Sequence, residues 1–163
     1  MAGLRNTRWC DAVSSGEDRG VDEKSTQNEK QKQSRLTHIA APEGVAPGTG
    51  YTQVVSGTGK LIAVSGQIAV DEKGELVGEG DAGAQARQVF ENLNRCLAAA
   101  GATFDDVVKL TFYVTDVAHL PAVRVARDAY VDVERPPAST AVQVAALFRP
   151  ELLLEVEAWA LVP

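Results

Sequence analysis

Apolar and polar positions follow clear periods along the chain from residue 51 onward. Runs of β-branched and aromatic residues bounded by turn residues predict strands. Apolar positions that recur every three or four residues predict helices. These patterns predict strands at 51–56, 60–70, 107–116, 138–147 and 152–162, and helices at about 82–100 and 120–132. The predicted order is β-β-β-α-β-α-β-β, which includes one further strand before the first helix, without assigned bounds.

Residues at the ends of the two predicted helices support their bounds. Asp81 is placed to cap the first helix, and Gly101 is placed to end it. Pro121 suits the first turn of the second helix, where its missing N–H is harmless. The apolar positions of the first helix form one stripe, with Gln85 among the polar positions beside it; the stripe contains Ala86, Val89, Phe90, Leu93, Cys96, Leu97 and Ala100.

The last predicted strand, 152–162, has two glutamates within an apolar run. Because side chains alternate along a strand, Glu155, Glu157, Trp159 and Leu161 share one face. Carboxylates on such a face need solvent, hydrogen-bond donors or a cation. With both helices on the opposite face of a single mixed sheet, the fold class is α+β. The face without helices keeps large apolar residues, so we expect a closed homo-oligomer.

Composition divides the chain into a polar tail, 1–37, and one domain, 38–163. The tail has one large apolar residue, Val21, between positions 14 and 35. Such a segment buries too little surface to offset the entropy of ordering, so we predict disorder. The tail carries seven basic and six acidic residues, and the domain nine basic against sixteen acidic. A domain of net charge −7 disfavours nucleic acid as a partner.

The chain offers few candidates for metal or nucleophilic chemistry. The two histidines, His38 and His119, stand at no recognisable metal-ligand spacing, so no metal site is expected. No apolar run approaches the roughly 20 residues of a membrane span. The first residues lack the apolar core of a signal peptide, which predicts a cytoplasmic protein without membrane partners.

Four segments of the chain resemble the YjgF/Rid family of small trimeric proteins. They are LIAVSGQIAVDEKGELVG, QARQVFENLNRCLAAAGATFDDVVKLTFYVTD, PPASTAVQVAAL and LEVEAWA, and the resemblance covers about residues 42–163. It implies a chorismate-mutase-like fold, and a homotrimer around a central barrel. It also implies three clefts for small metabolites, each between two neighbouring subunits.

The resemblance further implies a hydrolase or deaminase that uses no cofactor. Family members hydrolyse reactive 2-imino or enamino acids to 2-keto acids and ammonia. By the same resemblance Tyr51, Gly66, Ser139 and Thr140 are substrate-binding positions, and Glu155 is the catalytic position that orients water. Each also has a structural alternative: Tyr51 as a strand-edge aromatic, Gly66 as a close-packing glycine, and Glu155 as a surface carboxylate.

One family feature is missing from this sequence. Where related proteins have an arginine that holds the substrate carboxylate, this chain has Ser139, and a shift of one residue places Ala138 there instead. A hydroxyl cannot replace a bidentate guanidinium. The sequence therefore leaves three functions open: binding or hydrolysis of a metabolite without an arginine anchor, deamination of imino acids with Arg124 or Arg149 as the anchor, and a non-enzymatic interaction or chaperone-like role. Weak hydrolysis of 2-iminobutanoate, improved by Ser139→Arg, is expected in the first case.

Overall fold

The computed structural model describes residues 35–163, and these contain six strands and two α-helices. Two 3-10 turns, Phe104–Asp106 and Val117–His119, lie directly before the fourth strand and the second α-helix. The elements occur in the predicted order, and the α+β class is confirmed. They are β1 (Thr37–Ile39), β2 (Val54–Ser56), β3 (Lys60–Gln67), α1 (Ala82–Ala99), β4 (Val107–Val114), α2 (Leu120–Arg127), β5 (Ala138–Gln143) and β6 (Leu154–Val162).

The prediction of one single sheet is wrong. Strands β3-β6-β4-β5 form a mixed four-stranded sheet, whereas β1 and β2 form a separate antiparallel pair. Gly59, in the turn after β2, lies against the end of β6: a Cβ at this position would be 2.1 Å from the backbone oxygen of Val162. The chain therefore enters β3 directly beside the end of β6, and β3 pairs with β6 rather than with β2. A single parallel bridge, Thr52 to Ala138, connects the segment before β2 to β5.

Helix α1 begins and ends at the predicted signals. Asp81 Oδ1 accepts hydrogen bonds from the backbone N–H groups of Gly83 (2.9 Å) and Ala84 (3.0 Å), and these bonds, that from Ala84 first, lower the pKa of Asp81. Gly101 follows the helix with φ +77°, a conformation that glycine adopts without strain. Gln85, however, is fully buried with the apolar stripe, so its assignment to the polar positions is wrong.

Helix α2 is shorter than predicted. The helix ends at Arg127 rather than at about residue 132, although Val131 beyond its end is still buried and Tyr130 is half-buried. Tyr130 stacks on Phe90 of α1 at a centroid separation of 5.7 Å. Tyr130 thus packs against α1 as a residue on a further turn of helix would, although residues 128–130 form turns rather than helix.

Both helices lie on one face of the four-stranded sheet. The residues of β6 that face them are fully or almost fully buried: Leu154, Val156, Ala158, Ala160 and Val162. The opposite face, called the outer face below, has no helix in the described residues. Leu61 of β3 is 58% exposed there, and Trp159 of β6 is 39% exposed, on the face that the alternation in β6 predicted for Trp159.

Residues just before the predicted domain boundary at 38 already take part in the fold. Leu36 is buried, and Thr37 already pairs with Ser56. The predicted disorder of the tail otherwise concerns residues 1–34, which lie outside the described residues. Among residues 35–163, no helix is long and apolar enough to span a membrane.

Candidate functional site

A cavity of about 310 Å³ opens between β5, α2 and the segment before β2. Its polar lining consists of Thr49, Tyr51, Ser139 and the guanidinium groups of Arg124 and Arg127. Its apolar lining consists of Phe112, Leu120, Val123 and Ala141. An apolar pocket with a few convergent polar groups is the usual form of a small-molecule site.

Ser139 enters this cavity because of the register of β5. It pairs with Leu110 of β4, and paired residues of parallel strands point to the same face, here the face that carries the helices. Its hydroxyl donates only a long hydrogen bond, 3.5 Å, to the carbonyl of Pro137. The predicted position Tyr51 lies in the same cavity.

Arg127 is buried, and neighbouring groups engage its guanidinium. Its Nε and Nη2 donate to Asp128 Oδ1 at 2.8 and 2.6 Å, and its Nη1 donates to the carbonyl of Gly50 at 2.6 Å. The last bond holds the segment 49–51 against α2 and so forms one wall of the cavity. Sequence analysis missed this residue, although the i, i+3 spacing of Arg124 and Arg127 places both on the same face of a helix.

The two arginines considered as alternative anchors have different surroundings. Arg149 pairs with Glu151 at 2.6 Å, contacts the carbonyl of Gly74, and is absent from the cavity lining. Arg124 lines the cavity, and within residues 35–163 its guanidinium has no hydrogen-bond or ion-pair partner. The structure therefore brings Arg124, Tyr51 and Ser139 together and leaves Arg149 outside.

Glu155 and Gly66 meet on the outer face. The pairing of β3 with β6 is irregular between Val64 and Gln67, and this irregularity brings the backbone of Gly66 towards β6. A Cβ on Gly66 would lie 1.8 Å from Glu155 Oε1, so only glycine fits without moving the carboxylate. Glu155 is half-buried and has no hydrogen-bond or ion-pair partner among the described residues.

Tyr113 pairs with Glu155 across β4 and β6. Burial raises the pKa of Tyr113, and the nearby carboxylates of Glu157 and then Glu155 raise this pKa further. The phenol therefore remains protonated at neutral pH and can donate a hydrogen bond on this face. The sequence pattern gave no signal for Tyr113, because its nearness to the glutamates depends on the register.

Thr140 points to the outer face but has another role there. Its hydroxyl accepts a hydrogen bond from Lys109 Nζ at 2.5 Å. Thr140 pairs with Thr111, which in turn pairs with Glu157. Within one chain, therefore, neither the Ser139 nor the Thr140 hydroxyl reaches Glu155: Ser139 lies on the opposite face, and Thr140 is paired with Lys109.

Polar residues of α1 fix the chain that follows Gly66. Asn92 Nδ2 donates to the carbonyls of Ile68 (3.1 Å) and Val70 (2.9 Å), and Gln88 donates to Val70 and to Asn92. These contacts hold the segment 68–70 on the helix and thereby the position of Gly66. No group of three or more His, Cys, Asp or Glu side chains within residues 35–163 is arranged to hold a metal ion.

The comparisons with known proteins agree with this architecture. Residues 40–162 match the family model described as Endoribonuclease L-PSP. A Rid-family protein from Yersinia pestis, YyfB, of unknown function, superposes with a TM-score of 0.70 at 37% identity, covering 78% of this chain and 99% of that one. This chain is a member of the YjgF/Rid family.

The YjgF/Rid family includes relatives that are named as deaminases. The 2-iminobutanoate/2-iminopropanoate deaminase of Salmonella typhimurium is 37% identical over 74% of this chain and 91% of its own length. The 3-aminoacrylate deaminase RutC of Acinetobacter baylyi is 34% identical over 72% of this chain and 92% of its own length. Both matches span nearly the whole of the relative.

Proposed function

We propose that this protein hydrolyses small 2-imino or enamino acids to 2-keto acids and ammonia, in clefts between the subunits of a homotrimer. The observation that carries this proposal is the half-buried Glu155 carboxylate beside the bare backbone of Gly66. A carboxylate that no protein cation engages is free to hold a water molecule and accept its proton. The names of the two deaminase relatives support the same chemistry.

The reaction uses water and proton transfer. Glu155 accepts a proton from a bound water as the water oxygen bonds to the imine carbon, and the C=N electron pair moves to nitrogen, which becomes protonated. The proton held by Glu155 then passes to this nitrogen, the hydroxyl oxygen gives up its remaining proton as the C=O bond forms, and the C–N bond breaks. Ammonia leaves and the carbon becomes the carbonyl of the 2-keto acid. Tyr113, whose pKa is raised by burial and by the carboxylates of Glu157 and Glu155, keeps its proton at neutral pH and adds a hydroxyl to the same face as Glu155.

We place the cleft between two subunits because the candidate residues lie on opposite faces of the sheet. Tyr51, Ser139 and Arg124 lie on the helix side of the sheet, whereas Gly66 and Glu155 lie on the outer face. One chain cannot present both sets to one small substrate, since the sheet separates them. A second copy can, when its outer face covers the cavity of the first.

The direct test is keto-acid formation from 2-iminobutanoate, generated in place by a pyridoxal-phosphate dehydratase acting on threonine. We expect the wild-type protein to exceed the spontaneous rate and Glu155→Gln to lose about 100-fold or more, the usual contribution of a general base. Glu157→Gln is the matched control on the same face and should retain most activity. A wild-type rate equal to spontaneous hydrolysis contradicts the proposal.

A second candidate is binding of a neutral or cationic metabolite without turnover. The lone carboxylate of Glu155 and the serine at position 139 favour it. Thermal-shift screening separates the two candidates: stabilisation by small amines that Glu155→Gln abolishes, with no response to 2-keto acids, supports the second.

A further inference from the structure

We propose that Arg124, on helix α2, is the residue that binds the substrate carboxylate. This inference rests on the proposed function for its biological meaning, but it concerns a binding event that can be measured without turnover. It assigns to a helix a role for which the sequence resemblance points to strand β5.

The first argument is the balance of charge in the cavity. The two guanidinium groups that line it are those of Arg124 and Arg127. Asp128 neutralises Arg127 through two hydrogen bonds to one carboxylate oxygen. Asp128 lies one turn beyond Arg124 but is engaged by Arg127, and no other described carboxylate pairs with Arg124. The cavity thus carries one uncompensated positive charge in a domain of net charge −7.

The second argument is where the Arg124 side chain reaches. A Cβ placed on Gly50 would lie 3.9 Å from Arg124 Nε and 3.5 Å from Arg127 Nη2. The Arg124 guanidinium therefore spans the cavity from α2 to the segment 49–51. Gly50 has φ +75°, which disfavours a side chain at this position facing both arginines.

The third argument is that both hydroxyl groups and apolar side chains line the cavity beside Arg124. The hydroxyl of Ser139 is held only by a 3.5 Å bond, and Tyr51 offers a second hydroxyl. A carboxylate bound to the fork of Arg124 would find a hydrogen-bond donor in either one. Leu120, Val123 and Ala141 line the remaining wall, which suits a short apolar substituent. The ligand class is a small 2-oxo or 2-imino carboxylate with an aliphatic side chain.

The test is the affinity for 2-oxobutanoate, measured by calorimetry on the full-length protein, against its carboxamide as an uncharged analogue. We expect Arg124→Gln to weaken 2-oxobutanoate binding by at least tenfold, or about 1.4 kcal/mol, and to leave carboxamide binding unchanged. Arg124→Lys should keep part of the affinity. Arg149→Gln, the matched control, should bind as the wild type does, since its partner Glu151 lies outside the cavity.

A swap variant strengthens the test. In Arg124→Gln/Ser139→Arg the guanidinium returns from the β5 side of the same cavity, so affinity should recover in part, and circular dichroism shows whether each variant is folded. Unchanged affinity in folded Arg124→Gln overturns the inference, as does a wild type that binds 2-oxobutanoate no better than the carboxamide. Arg124-dependent binding without turnover leaves the inference standing and removes the deaminase proposal. If Arg124→Gln hydrolyses 2-iminobutanoate as fast as the wild type, the inference about Arg124 is overturned and the deaminase proposal stands.

Discussion

The Glu155 carboxylate lies so close to the backbone of Gly66 that it leaves no room for a side chain at position 66. A methyl group at Gly66 would overlap Glu155 Oε1 and also lie 2.7 Å from the carboxyl carbon. The side chain of Glu155 can rotate away, because it is half-buried rather than enclosed. Substitution of Gly66 therefore moves the carboxylate without breaking the core.

We expect Gly66→Ala to lower kcat/KM for 2-iminobutanoate at least about tenfold while the melting temperature changes little. The reason is displacement of the Glu155 carboxylate from the position where it holds water. Steady-state kinetics and thermal denaturation of the same preparation check both parts. Ser65→Ala, an exposed neighbour on β3, serves as the control. Full activity in Gly66→Ala would mean that this carboxylate position is not the one used.

Single residues were predictable where a local signal exists. The alternation around Glu155 and Trp159 placed both on the outer face, because side-chain direction along a strand has a period of two. No local signal distinguishes Arg124 from Arg127 or Arg149. Which guanidinium stays free depends on Asp128, Gly50 and Glu151, and these contacts form only in the folded chain.

At the scale of elements, Gln85 joins helix α1 to the start of β6. Its Nε2 donates to the carbonyl of Glu151 at 2.9 Å, and its Oε1 accepts from the N–H of Leu153 at 2.8 Å. Both backbone groups depend on this one buried amide. Periodicity alone counts glutamine as polar, so the sequence placed it outside the stripe, whereas the bounds of α1 followed correctly from Asp81 and Gly101.

We expect Gln85→Met to lower the free energy of unfolding by about 2–3 kcal/mol, since it leaves a buried donor and a buried acceptor unpaired. Gln88→Met is the matched control on the same helix and should cost less than about 1 kcal/mol. Loss of the Gln88 hydrogen bond to the Val70 carbonyl is tolerable because Asn92 also donates to that carbonyl. Urea denaturation at one fixed protein concentration compares the two. Equal losses would show that the Gln85 contacts add nothing beyond helix packing.

At the scale of the whole molecule, the outer face exposes apolar side chains that a second subunit can cover. Leu61 and Trp159 are exposed on it beside half-buried carboxylates. Large apolar side chains exposed together beside polar residues are typical of surfaces that bind another protein subunit. We expect light scattering to give three times the mass of the chain, and a monomer at micromolar concentration would contradict the composite cleft.

Mixing two inactive variants tests the same assembly more sharply. In a cyclic trimer, subunits carrying Arg124→Gln and subunits carrying Glu155→Gln leave one cleft intact in each mixed trimer. Unfolding and refolding the two together at equal amounts should therefore restore about a quarter of wild-type activity, since about three quarters of random trimers are mixed. Each variant refolded alone is the control. No recovery in confirmed mixed trimers would place both residues in the same subunit's site or in none.

The central position of β6 has a consequence for how the protein is made. In the order β3-β6-β4-β5, the strand that follows all the other described strands in the chain fills the gap between β3 and β4. Until β6 leaves the ribosome, the nascent chain holds two open strand edges and an unfilled core. Both edges are templates for pairing with other chains. Synthesis that stalls between residues 144 and 153 would thus leave a polypeptide with both described helices and the β4-β5 pair but without the strand that joins this pair to β3, a natural substrate for chaperones and proteases.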